Sequence, residues 1–459
     1  MTTKTKASPA VQHDEPALPS AAAVAADISP SIHRAAVRAL PLRCRNCGES
    51  YDPGPTAICE DCLGPVEPVY DPARALPDRK TIAARPPSLW RYREWLPFEG
   101  DVARALDTGF TPLIDAPALA RRLGVARVWV KNDAVSHPTL SFKDRVVAVA
   151  INAADAFGLE TFGCASTGNL ANAVAAQARR AGLDAWVFIP HDLELGKVVG
   201  TAVYGVNLVR VQGTYDDVNR LCVQVADRFG WGIANVNLRS YYGEGSKTVA
   251  FEIAEQLGWR LPTAVVTPMG GGSLLTKLNK GFREFREAGL VAGSAPRLYG
   301  AQGDGCAPIV RLVERGDSTL VPEIPRTIAK SLAIGCPPDG VYAAQTIRET
   351  GGWAAAVSDG EIVDGIRLLA EYVGVFTETA GGVTVAAALS LARQGRLRAD
   401  DEVVLCITGN GLKTVEAVSS KLLETPVIAA KLREVSALVD AKAAGELNSG
   451  PEFTRNLEK

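Results

Sequence analysis

Four short stretches of this chain carry residue types whose spacing suits chemistry as well as packing. In 136-SHPTLSFKDR-145, Lys143 sits between Phe142 and Asp144, and Pro138 and Ser141 place it in the first turn of a helix. Most lysines are solvated surface charges. A lysine at a helix start is electrostatically misplaced, because the macrodipole favours anions there; its pKa falls and the nucleophilic neutral amine is favoured. In 164-CASTGNLANAV-174, Ser166, Thr167, Gly168 and Asn169 lie where a strand runs into a helix. Free amides at such a turn suit a carboxylate or phosphate, although an ordinary N-cap uses the same residues. In 267-TPMGGGSLLTK-277, Gly270, Gly271, Gly272 and Ser273 let a phosphate approach the backbone at a helix start, or simply make a tight turn. In 403-VVLCITGNGLK-413, Thr408 presents a neutral hydroxyl to a bound ring, or closes the strand with a glycine-rich turn. None of these turns has Walker A or G-x-G-x-x-G spacing, so ATP and NAD are unsupported.

A fifth stretch, 44-CRNCGESYDPGPTAICEDC-62, holds Cys44, Cys47, Cys59 and Cys62 as two C-x-x-C pairs. Each pair places two thiolates on one turn, and two such turns close a tetrahedron around structural Zn²⁺. The 11 residues between the pairs are few, but Gly54 and Pro55 allow a compact hairpin. Two redox dithiols, or a ribbon without metal, are the alternatives. A nucleic-acid-binding ribbon is opposed by the acidic residues Glu49, Asp52, Glu60, Asp61 and Glu67.

The elements that must position these residues follow from the apolar pattern. Strands are predicted at 125–131, 162–166, 185–190, 206–212, 263–269, 297–302 and 402–409, and helical runs follow most of them, for example 169–182 and 247–258. Repeated strand-then-helix order implies an α/β fold with parallel sheets covered on both faces. Ligands in such folds bind beyond the carboxyl ends of the strands, where the four turns lie.

Bulk composition narrows the function. With 49 Lys+Arg against 51 Asp+Glu the net charge is −2, which gives no field for nucleic acid or an anionic membrane. No apolar run approaches the roughly 18 residues of a membrane span, and no signal core opens the chain. Residues 1–40 read as a disordered leader. Five of the nine cysteines are scattered singly, which fits a reducing compartment, and a cytoplasmic protein is expected.

Taken in order, S-F-K-D-R, S-T-G-N, the glycine loop and T-G-N-G-L-K resemble the pyridoxal-phosphate (PLP) enzymes of fold type II, and within them the threonine synthase family. Also family-like are 327-TIAKSLAIGCPPDG-340 and 378-ETAGGVTVAA-387, while His137 and Leu140 replace the usual Asn and Gly beside the lysine. The resemblance implies a tryptophan synthase β-like core over 85–430: two parallel-sheet α/β subdomains with the active site between them, the smaller over about 145–245. A zinc-ribbon-like knuckle at 41–72 and a tail at 431–459 complete the expected organisation. It further implies that Lys143 carries PLP covalently with Phe142 packed nearby. Residues Gly270 to Ser273 would hold its phosphate, Asn169 its ring hydroxyl and Thr408 its ring nitrogen. Ser166, Thr167 and Gly168 would take the substrate carboxylate. The implied substrate is O-phospho-L-homoserine, converted with water to threonine and phosphate. Its phosphate would fall to the segment 235–248, with Asn235, Asn237, Arg239 and Lys247 as candidates, although the arginine does not align with the family pattern without a gap. A homodimer is expected from the resemblance, with neither nucleic acid nor membrane as partner. The alternatives are a relative working on O-phosphoserine or eliminating like threonine dehydratase, and a non-catalytic regulatory protein on the same fold.

Overall fold

The computed structural model describes residues 37–100, 106–419 and 426–444. Two parallel sheets organise the core. The larger has six strands in the order Ala354–Val357, Arg297–Gly303, Ala264–Pro268, Glu402–Ile407, Arg127–Asn132 and Leu113–Asp115; all are parallel except the last. The smaller has four parallel strands in the order Asn207–Val211, Asp184–Pro190, Thr161–Ala165 and Gly232–Ile233. Its helices include Lys143–Ala156, Asn169–Ala181 and Tyr215–Phe229. Ala264–Pro268 is buried along its whole length, because helices cover both faces of a parallel sheet.

All seven strands expected from the sequence are present. Two edge strands of the larger sheet were missed. Ala354–Val357 is mostly alanine, a helix former, and Leu113–Asp115 has three residues, too few for a period. The helical run expected from 247 begins earlier, as Arg239–Ser246 followed by Thr248–Gln256. Its first turns contain Gly243, Gly245 and Ser246, poor helix formers that hide it from a pattern reading.

Around the four cysteines, Leu42–Cys44 pairs antiparallel with Ser50–Tyr51 and Val66–Pro68. The expected leader ends too late: Arg38–Ala39 already pairs with Phe98–Glu99. The rest of the leader, 1–36, and the last part of the tail, 445–459, lie outside the described residues. Within the tail, Leu432–Ala443 is a helix with no buried residue. No helix among the described residues is long and apolar enough to cross a membrane.

The knuckle docks tightly. Ser240 Oγ donates to Thr56 O (2.8 Å), Tyr241 OH to Leu40 O (3.0 Å) and Tyr342 OH to Asn46 Oδ1 (2.9 Å). Glu67 pairs with Lys277 (2.8 Å) and Lys280 (3.2 Å) of the helix Ser273–Glu287. Burial raises the Glu67 pKa, but the two ammonium groups more than reverse this and hold its carboxyl well below the usual range.

The start of the lysine helix is fixed by buried charge. The Arg145 guanidinium donates to Asp133 through Nε and Nη2 (both 2.8 Å) and to Glu252 Oε2 (2.7 Å), with a further bond from Nη1 to Glu252 Oε1. Lys131 Nζ reaches Glu252 Oε2 at 2.6 Å. Removing the arginine leaves buried Asp133 without a cation and Glu252 with Lys131 alone. Arg145→Met should therefore lose about 3–5 kcal/mol of stability, read as a fall in the denaturant midpoint, whereas Arg220→Met, at an exposed pair with Asp217, should leave the midpoint where it was.

Candidate active site

Three strand ends meet at one crevice. Glu402–Ile407 and Ala264–Pro268 are neighbours in the larger sheet, so Thr408 and Gly270 follow from adjacent carboxyl ends. Thr161–Ala165 of the smaller sheet delivers Ser166 and Thr167 from the other side. The loop before the lysine is stitched to the first of these: Phe142 N–H donates to Thr408 O at 2.9 Å, and Ser141 bridges Gly409. The resulting cavity is bordered by Phe142, Lys143, Ser166, Thr167, Asn169, Arg239, Gly270, Gly271, Gly272, Ser273 and Thr408. Gly168 stands just behind it, its open face filled by the Lys197 side chain.

Lys143 opens the helix Lys143–Ala156 and donates from Nζ to Tyr242 OH at 2.7 Å. Its pKa is lowered to about 8. Burial is the cause, partly opposed by Cys164 and Glu378, so desolvation and not the helix dipole accounts for the readily available amine. Burial also raises the Tyr242 hydroxyl well above its ordinary value and keeps it protonated.

Asn169 is held at both ends of its amide. Nδ2 donates to Glu378 Oε1 (2.6 Å) and Oδ1 accepts from Lys413 Nζ (3.2 Å). Ser166 acts as a local cap, its Oγ accepting from the amides of Gly168 and Ala171 (both 2.9 Å). Thr167, Asn169 and Leu170, at the start of the helix Asn169–Ala181, border the crevice.

The glycine loop is a cradle that is closed to a side chain at Gly272 and tight at Gly270. A Cβ on Gly272, whose φ is +91°, would meet the Asp339 carbonyl oxygen at 2.9 Å, and one on Gly270 would meet Ser331 O at 3.3 Å. The helix Ser273–Glu287 starts at once behind it and supplies unpaired amides with positive partial charge. The Thr408 hydroxyl borders the cavity, and no protein partner is recorded for it among the described residues. An aldehyde-bearing, phosphorylated heteroaromatic ring such as PLP fits this set: an amine to bond it, a cradle for its phosphate and a neutral hydroxyl for its nitrogen.

Lys247 is elsewhere. It projects away from the cavity onto Glu244 Oε2 (2.7 Å), Glu284 Oε2 (2.9 Å) and Tyr70 OH (3.1 Å). With two carboxylates already on it, it is a structural cation, and the expectation that it binds substrate is corrected. Asn237 is likewise spent on backbone, accepting from Ile233 N (2.7 Å) and donating to Trp231 O (2.9 Å). Neither His137 nor Leu140 borders the cavity, and both are exposed. Leu140 has φ +61°, the left-handed conformation that glycine adopts freely, so the side chain replaces a conformational requirement and not a ligand contact. The sequence reading missed Tyr242, Asp339 and the role of Glu378. Each left a trace only as part of a segment already singled out: Tyr242 in 235–248, Asp339 in 327–340 and Glu378 as the first residue of E-T-A-G-G.

Away from the crevice, the four knuckle sulfurs lie within 4.8 Å of one another, with Cys44 to Cys62 at 3.4 Å and Cys47 to Cys59 at 3.5 Å. Four thiolates at about 2.3 Å around a tetrahedral zinc stand about 3.8 Å apart, so the cluster has the dimensions of a zinc site.

The pyridoxal-phosphate dependent enzyme family matches residues 105–409. A threonine synthase of Methanocaldococcus jannaschii is 35% identical over 381 residues, covering 82% of this chain and 93% of that protein. Threonine synthases of Methanosarcina acetivorans (33%, covering 88% of this chain and 99% of that one) and Synechocystis (38%, covering 70% and 82%) are similar too. Among solved structures, maize serine racemase aligns at TM-score 0.55 and 20% identity over 72% of this chain and 94% of that one. Tomato threonine deaminase isoform 2 aligns at TM-score 0.56 and 20% identity over 72% and 83%. With its fold type II core, its lysine at the crevice and this likeness along most of its length, the chain belongs to the pyridoxal-phosphate dependent enzymes and, within them, to the threonine synthase family.

Proposed function

We propose that this chain converts O-phospho-L-homoserine and water to L-threonine and inorganic phosphate. The observation that carries the reading is the likeness to threonine synthases over 70–88% of the chain. It is supported by a cavity that joins a lysine amine, a phosphate cradle and a separate arginine. Bound there, PLP would supply the electron sink that makes protons at the substrate Cα and Cβ removable. Gly270 to Ser273 would hold the cofactor phosphate, with Phe142 beside the ring, Asn169 for its hydroxyl and Thr408 for its nitrogen. A threonine at that nitrogen does not force protonation as an aspartate would, so the sink is moderate. Lys143 Nζ, steadied by Tyr242, takes the proton from Cα and serves Cβ in turn. Thr167 and the amides of its helix start hold the α-carboxylate, with Ser166 shaping that turn and Gly168 backing it. Arg239 faces the phosphate that leaves Cγ; Cγ then takes up a proton, water gives its hydroxyl to Cβ, and a proton returns to Cα.

The knuckle holds one structural zinc on Cys44, Cys47, Cys59 and Cys62. All nine cysteines are unpaired, which supports a reducing, cytoplasmic setting, and the resemblance supports a homodimer.

Purified protein should absorb near ~410 nm with its cofactor attached and release equal amounts of threonine and phosphate from O-phosphohomoserine. Lys143→Ala should stay folded and lose both the covalent cofactor and turnover. Cysteate from O-phosphoserine plus sulfite, with no threonine from the first mixture, would move the chain to the β-replacement reading; a wild type that never binds PLP would end the enzyme reading. Because the Lys143 amine is neutral above about pH 8, the rate at which cofactor-free protein captures PLP should rise through that pH and then level off. A rise continuing towards pH 10 would indicate an ordinary exposed lysine. Cys44→Ser combined with Cys59→Ser should lose about one equivalent of zinc by metal analysis; equal metal content would empty the knuckle of that role.

A further inference from the structure

Arg239 and Asp339 face each other across the mouth of the cavity. Arg239 Nη2 lies 2.6 Å from Asp339 Oδ1, and the side chains are 23% and 12% exposed. The two belong to opposite walls. Arg239 opens the helix Arg239–Ser246, which packs on the lysine helix, and Asp339 precedes the helix Gly340–Glu349 beside the glycine loop. The Asp339 backbone cannot retreat: its N–H donates to Gly271 O at 2.9 Å, and its carbonyl oxygen occupies the space over Gly272.

The placement of this carboxylate is unusual for its position. Asp339 is the N-cap residue of the helix Gly340–Glu349, where an aspartate ordinarily accepts from the second or third amide of its own helix. It makes no such bond, because its backbone (φ −103°, ψ 12°) lies outside the extended region of a capping residue, and it pairs with Arg239. A negative side chain thus stands beside Arg239 and the glycine cradle, the anion-receiving part of a cavity that Glu378 borders elsewhere. Beside it, Ser331 borders the same cavity with a buried Oγ that has no hydrogen-bond partner among the described residues.

We propose that Asp339 is an internal stand-in for the substrate phosphate and sets specificity for a phosphorylated side chain. The inference rests on the reading that the substrate carries a phosphate. Before substrate arrives, the carboxylate occupies Arg239 and spans the mouth. A phosphate of nearly two negative charges takes the guanidinium in its place by a stronger, bidentate pairing. Asp339, whose side chain is 12% exposed, then turns outward to water. A substrate ending in a hydroxyl cannot separate the pair, because it offers the largely buried Arg239 no charge in exchange for the carboxylate. Discrimination thus comes from the cost of displacing Asp339 as well as from attraction to Arg239.

Asp339→Asn tests this in the holoenzyme, since asparagine keeps the shape of the side chain and removes its charge. Inorganic phosphate is the probe, titrated against the cofactor absorbance so that no turnover is required. Asp339→Asn should bind phosphate about tenfold more tightly than wild type, because a charge-assisted competitor is gone, and should lower KM for O-phosphohomoserine with little change in kcat. Arg239→Gln should lose phosphate binding in either background. Unchanged or weaker phosphate binding in Asp339→Asn would overturn the proposal, for Asp339 would then orient Arg239 towards the bound anion. Wild type that binds phosphate but makes no threonine from O-phosphohomoserine would overturn the proposed reaction alone.

Discussion

Burial of the Arg145 charge between Asp133 and Glu252 is the constraint on which the rest of the crevice depends. Asp133 follows a strand of the larger sheet, Glu252 lies on the helix Thr248–Gln256, and Arg145 is two residues beyond the reactive lysine. Three charges without water have few arrangements in which all are satisfied. Their geometry therefore fixes where the lysine helix begins. Asp144 completes the arrangement from the next position by accepting from Thr139 N (3.0 Å) and Thr139 Oγ1 (2.6 Å). With that turn rigid, Lys143 is carried into a dry site, where burial rather than a neighbouring cation makes its amine available.

A second layer of control comes from behind the crevice. The knuckle touches the reverse sides of three elements whose front sides face the cavity: Ser240 and Tyr241 flank Arg239 and Tyr242, Lys277 follows the glycine loop, and Tyr342 follows Asp339. The cysteine-bearing segment thus acts as a bracket between parts of the chain about 100 residues apart in sequence, and its short strands add Leu42 and Val66 to the apolar core that holds the lysine helix.

Much of this was legible in the sequence because two periods, that of buried parallel strands and that of the helices between them, announce an α/β fold, and because the turns that follow such strands are where ligands bind. The crevice residues Lys143, Asn169, Gly270 to Ser273 and Thr408 are all at those turns. Side-chain direction was not legible. Lys247 and Arg239 lie on one short helical stretch, and a pattern cannot say that one faces the cavity and the other a cluster of carboxylates. Asp339 and Tyr242 were overlooked for a related reason: each acquires its partner only when the two halves of the fold meet. Leu140 shows the reverse, a departure from the family pattern that reads as chemistry and proves to be backbone conformation.

The ion cluster beneath the knuckle bears on how far the chain could be pared down. Lys247, Lys277 and Lys280 are matched there by Glu67, Glu244 and Glu284, three positive charges against three negative. Glu67 is the contribution of the N-terminal segment. A fragment trimmed to the apparent catalytic core would keep all three lysines and lose one of their counterions, leaving excess positive charge at the back of the helix whose other end forms the glycine cradle. The boundary between ribbon and enzyme, obvious in the sequence, is not one along which the molecule can be electrically divided.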